Sequence, residues 1–261
     1  MEVTSSEQVR SKYDEEEIVG LISSIYELLL ELGHMKEEAV DWAPPEGHTL
    51  DLSNIPDGVD VDPRVLSLMS RLPLPKSEPF VIQHRMNNFD YRDPIILAES
   101  RDFDRWLHPS GLDVSNAAPT MLMLLAGRYA DDPCLILDVE DNTIRTVQNR
   151  WLRVMPWPAT AHEQPDQRFY TFWPPVDAVQ YLDQAFQRLL RADEIPMGQY
   201  AGFVVVELEP QFQELKRVLV EEYGWPYNFR RADWLRNRSS QYDRIRAESR
   251  FPIDDHHEPA W

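Results

Sequence analysis

His84 and His108 fall in the stretch of this sequence where acids, bases and rings crowd together. Around them stand Arg85, Asp90, Tyr91, Asp93, Arg101, Asp102 and Asp104. An imidazole titrates near neutrality, and a carboxylate or phenol beside it can orient it or pass its proton on. The chemistry such a set can do is proton transfer, and Tyr170 is a further acid–base candidate. An ordinary solvated loop has the same composition. Other reactive types are thinly spread. Cys134 is the only cysteine. It is flanked by Pro133, Leu135 and Ile136, and reads as a buried structural thiol, not a nucleophile. Asp57, Asp60 and Asp62 lack the glycine-turned loop of a calcium site, and Asp62 before Pro63 reads as a helix cap. His256-His257-Glu258 could grip a stray metal, but on a terminal segment expected to be floppy it reads as inert. The nine glycines form no phosphate-cradling loop. Neither a zinc motif nor a nucleophile elbow is present. No metal and no cofactor is expected.

A second set of residues is suited to binding. Residues 150–175 carry Trp151, Trp157, Phe169, Tyr170, Phe172 and Trp173 among five prolines. Rigid aromatics on a long loop serve as interface anchors. Rings that plug gaps beside a core would look the same in sequence.

Composition narrows the partners. A net charge of −19 repels phosphates and anionic headgroups, which argues against nucleic acid and membrane surfaces. The charge is uneven. Residues 1–63 hold sixteen acids and three bases, giving −13, whereas residues 225–250 hold seven arginines and three acids, giving +4. A protein partner, and a basic one, fits the acidic surface best, with a small molecule left open. No secretory leader and no bilayer-length apolar run is visible. With a single cysteine, this leads to an expected cytoplasmic, reducing location.

The elements that must position these residues follow from periodicity. Thr120–Leu125 and Cys134–Val139 are apolar on both faces, as covered strands are. Glu140-Asp141-Asn142 suits a tight turn, and Thr143–Val147 alternates as a half-buried strand. The three predict an antiparallel meander. Phe80–Gln83 predicts an edge strand after Pro79, and residues 84–118 an irregular cover. Asp14 and Glu17 open a helix whose stripe Ile18, Leu21, Ile22, Ile25, Leu28, Leu29 and Leu32 ends at Gly33. Further helices are expected over Lys36–Trp42, from Asp62 to Pro73, over Val176–Ala192 and over Pro210–Tyr223. A strand is expected at Phe203–Leu208, and a final arginine-rich helix is capped by Asn228. At 261 residues, with 43% hydrophobic content, a sizeable core is available. The domain organisation expected is a disordered tail at 1–13, one α+β domain at 14–224, an Arg-rich helix at 225–250 packed on it or extending it, and a disordered tail at 251–261.

Two resemblances bear on function. Glu221-Glu222-Tyr223-Gly224-Trp225-Pro226 with Phe229-Arg230 and Asp233-Trp234 is similar to the ending of a family of filamentous-fungal proteins, which carries no activity with it. The order of strand, Leu135-Ile136-Leu137-Asp138 strand, turn, Ile144 strand, aromatic loop and Val179–Leu190 helix resembles the SUKH superfamily over about residues 118–192. That superfamily holds bacterial toxin-immunity proteins and fungal regulators of cell-wall synthesis. The resemblance implies an α+β fold and a role in binding other proteins. A non-catalytic intracellular binding or regulatory protein is therefore the leading expectation. The alternative is a small cofactor-independent enzyme, with secondary metabolism as one setting for it, and with a pocket between the sheet and the aromatic loop that uses His84, His108, Tyr170 or a carboxylate. A third possibility is that helix 230–250 docks on an anionic partner.

Overall fold

The computed structural model of the chain describes residues 12–55, 60–76, 81–83, 86–101, 118–127, 132–148, 173–198, 204–206 and 211–248. Helix α1 (Glu15–Glu31) leads through a 3-10 turn (Glu37–Ala39) into strand β1 (Val40–Asp41). Helix α2 (Pro63–Arg71), strands β2 (Leu74–Pro75), β3 (Val81–Gln83) and β4 (Met86–Asn88), and helix α3 (Pro94–Arg101) follow. Then come β5 (Met121–Gly127), β6 (Pro133–Asp138), β7 (Thr143–Gln148), β8 (Val176–Asp177) and helix α4 (Ala178–Leu190). Strands β9 (Glu194–Pro196) and β10 (Val204–Val206) precede helix α5 (Phe212–Arg217), which runs on as a π-helical turn over Val218–Glu222. The final helix, α6, spans Arg231–Glu248.

The fold is α+β. Its six-stranded sheet has the order β3-β4-β5-β6-β7-β8 and is antiparallel throughout. The meander expected from sequence is its centre, with Leu137 opposite both Leu122 and Ile144. Every residue of β5 is buried, which is why its sequence shows no alternation. Asn142 takes a left-handed backbone, φ 49°, in the β6–β7 turn. Strand β3 lies at one edge, as expected.

Helix α1 begins where Asp14 Oδ1 accepts the Glu17 amide at 3.2 Å. It packs against α4, and the two helices with the sheet enclose Ile18, Ile25, Leu29, Leu182, Ala185 and Leu189. A second core gathers Ile195, Met197, Val205, Phe212, Leu219, Trp225, Trp234 and Ile245 around α5 and α6. Leu28 packs against both. Helix α6 is thus docked on the rest through one stripe, Trp234, Tyr242 and Ile245, with most of its arginines on the remaining circumference.

Several expectations are corrected. Residues 36–42 form a 3-10 turn and a strand, not a helix, because Val40 and Asp41 find a ladder with Leu74 and Pro75. A segment that short nucleates a helix poorly in any case. The 84–118 stretch contains β4 and α3, so it is less irregular than its composition suggests. Helix α4 is closed by Ala192 with φ 53° and the Asp193 amide on the Arg188 carbonyl, before Ile195-Pro196 is reached. Those two residues instead pair with β10 in a separate small sheet. Asn228 does not cap α6. Its amide returns to Gly224, and the first helical bond runs from the Trp234 amide to Arg230.

Candidate functional site

His84, His108 and Tyr170 lie outside the described residues, as do Trp151, Trp157, Phe169 and Phe172. Trp173 is described. It is half-buried against the sheet core, and its carbonyl accepts from Arg145 Nη1 at 2.5 Å. The described neighbours of the histidines have structural work. Asp93 Oδ1 accepts the Ile95 amide at 2.8 Å at the start of α3. Tyr91 is buried and donates to the Met123 carbonyl at 2.7 Å, and burial raises its phenol well above the ordinary value. Arg92 is held by Asp90 and Asp41, and buried Arg101 donates to the Ala118 and Met121 carbonyls. Cys134 is 1% exposed, and burial pushes its thiol up to about 11, so it stays protonated and unreactive near neutrality. Asp62 caps α2 by accepting the Arg64 amide at 2.8 Å.

Between α1, α4 and the sheet is a cavity of about 40 Å³, lined by Tyr26, Gln83, Asn88, Phe89, Tyr91 and aliphatic side chains. The Asn88 amide donates to the Tyr26 hydroxyl there at 3.0 Å. Ligand pockets run to about 300–1,000 Å³. This one has room for water molecules only.

The larger concavity, about 630 Å³, lies at the end of α1 where α6 crosses it. Its construction starts from an unmet need. The last four carbonyls of any helix lack intrahelical donors, and α1 has no basic residue in its last turn to serve them. Gly33, φ 72°, turns the chain so that its own amide bonds Leu30 and the His34 amide bonds Leu29. The rest is supplied by α6. Arg231 donates to the carbonyls of Leu30 and Glu31 at 3.0 and 3.1 Å. The Trp234 indole and Arg238 reach the Leu32 carbonyl at 3.1 and 3.0 Å, and Arg238 also donates to Gly33. Cationic donors at the negative end of a helix dipole are favourably placed.

These bonds decide the groove's electrostatics. Glu27, Glu31, Glu37 and Glu38 line it, with Leu30, Met35 and Leu235 as apolar surface. Its two arginines are committed to carbonyls, and Arg231 also sits 3.3 Å from the Glu31 carboxylate. Lys36 and Glu38 meet only at 4.0 Å, each 74% exposed. Among the described residues Glu27 and Glu37 form no ion pair. The groove therefore offers carboxylate to an incoming ligand: four glutamates line it against three cations, and its two arginines are held on carbonyls.

Directly beneath, His34 is 3% exposed and has both ring nitrogens engaged. Gly198 N–H can only donate, so Nδ1 accepts it, at 3.2 Å; Nε2 then carries the hydrogen and donates to the Val81 carbonyl at 2.7 Å. Burial, and less strongly Arg238, pulls this imidazole down to about 4. His34 joins α1, β3 and Gly198 beyond β9, a role that nothing in its sequence neighbourhood signals.

No protein-family model, curated protein or solved structure matches this chain. No group of metal-ligating side chains is assembled among the described residues, and no described helix is long and apolar enough to cross a membrane.

Proposed function

We propose that the chain is a non-catalytic protein-binding protein whose groove at the α1–α6 crossing receives a cationic segment of its partner. The observation that carries this reading is the imbalance of commitments: Arg231 and Arg238 are held on backbone carbonyls, whereas Glu27 and Glu37 have no cation among the described residues. The net charge of −19 would speed the encounter with a basic partner. The resemblance in element order to the SUKH superfamily, whose members bind other proteins, points the same way. A cytoplasmic setting accords with a lone, buried thiol.

The test is titration calorimetry with a lysine- and arginine-rich peptide, against the wild type and Glu27→Lys/Glu37→Lys. Removing two exposed attractions and adding two repulsions should weaken binding about tenfold or more, and added salt should weaken the wild-type complex further. Equal affinity for both chains would overturn the reading.

A further inference from the structure

His34 stands between Gly33 and Met35, both of which line the groove. Its ring is the joint between three segments distant in sequence: the end of α1, edge strand β3, and Gly198, two residues beyond β9. Gly198 is packed so tightly that a Cβ on it would lie 2.6 Å from Arg238 Nη2, and one on Gly33 would lie 2.9 Å from Arg238 Nη1. The ring accepts at Nδ1 from a backbone N–H, which has no lone pair to offer in return. A proton added to Nδ1 would place two donors head to head. It would also set a buried cation beside the half-buried Arg238, the charged group that faces the ring from α6.

The other charged groups around the joint do not relieve this. Glu31, Lys36, Glu37 and Glu38 on its own segment lie at the exposed groove. Glu194, on the strand leading to Gly198, is taken by Arg188 at 2.6 Å. Strand β3 contributes Val81, Ile82 and Gln83, none of which titrates.

We propose that protonation of His34 breaks this joint, parts the Gly198 segment from the end of α1, and so loosens the floor of the groove in acid. The regulatory meaning rests on reading that groove as the binding site; the joint itself does not. Opening is coupled to proton uptake by a group that shifts from about 4 when closed to 6.5 when free. The opening constant therefore rises about tenfold for each pH unit lost inside that window.

The experiment is amide exchange at Gly198, compared between the wild type and His34→Gln at matched pH. Glutamine offers one acceptor and one donor and cannot take a proton. The ratio of wild-type to variant exchange should grow about tenfold per pH unit between pH 6 and pH 4.5. A ratio that does not change with pH overturns the proposal. Ring nitrogen spectra of wild-type His34 serve as a second readout that does not depend on the variant folding. A neutral Nε2–H tautomer that persists to pH 5 supports the joint, and ordinary titration near neutrality with the Gly198 amide undisturbed overturns it. Peptide affinity at pH 7 separates the two ideas. Its absence would remove the binding reading and leave the joint standing.

Discussion

The indole N–H of Trp234 donates to the carbonyl of Leu32 at 3.1 Å, across 202 positions of sequence. This bond and its arginine neighbours finish a helix that cannot finish itself. They also fix the last helix against the first, and the groove exists only because the two are held there.

Arg238→Met should therefore cost more than an exposed arginine would. It keeps the aliphatic stem but leaves Leu32 with one donor and Gly33 with none. Hydrogen bonds to charged groups contribute about 1.5–3 kcal/mol each. A loss of about 2 kcal/mol or more in urea unfolding is expected, whereas Arg236→Met, at a side chain 72% exposed, should change little.

Gly33→Ala tests the turn. The position has φ 72°, and a Cβ there would lie 2.0 Å from Leu235 Cδ2. The left-handed backbone alone costs a non-glycine residue about 1–2 kcal/mol, and the collision adds to it. Unfolding should show a destabilisation above about 2 kcal/mol. Gly20→Ala is the control, since nothing lies within 4 Å of its Cβ position, and should be stabilising or neutral.

Stability should fall in acid through His34. The unfolded imidazole titrates near 6.5 and the folded one is pulled down to about 4, so the unfolded chain binds the extra proton between those values. The contribution is complete above the upper value and lost as pH drops through the lower, about 3 kcal/mol in all. Denaturant titrations from pH 7 to pH 4 should show this slope in the wild type and a flatter one in His34→Gln.

Leu122→Ala examines the central strand. Leu122 is 0% exposed and faces Leu137 across the β5–β6 ladder. Truncation should cost about 2–5 kcal/mol. Ile95→Ala, at a side chain 58% exposed, should cost under about 0.5 kcal/mol.

Much of this architecture was legible because its signals are local. The β5–β7 meander announces itself through apolar runs cut by Asp132-Pro133 and by Glu140-Asp141-Asn142. Helix α1 is bracketed by Asp14 and Gly33, which act within one turn of the helix they bound. What could not be read was set by distance. Nothing near Val204–Val206 says that it pairs with Glu194–Pro196 and not with the large sheet. Nothing near Arg231, Trp234 or Arg238 reveals that their donors answer the carbonyls of Leu30, Leu32 and Gly33 about 200 residues earlier. The groove shares that origin, and so does the task of His34. The sequence pointed instead to His84, His108, Tyr170 and the aromatic residues of 150–175; among these candidates Trp173 alone is described, and it packs on the core.

The central claim, that the α1–α6 groove binds a cationic segment, is met most directly by amide chemical-shift mapping during titration with a lysine- and arginine-rich peptide at pH 7. The account expects saturable shifts centred on Glu27, Leu30, Lys36, Glu37 and Leu235, absent in Glu27→Lys/Glu37→Lys. Shifts that centre elsewhere on the molecule, or that survive the charge reversal, would contradict it.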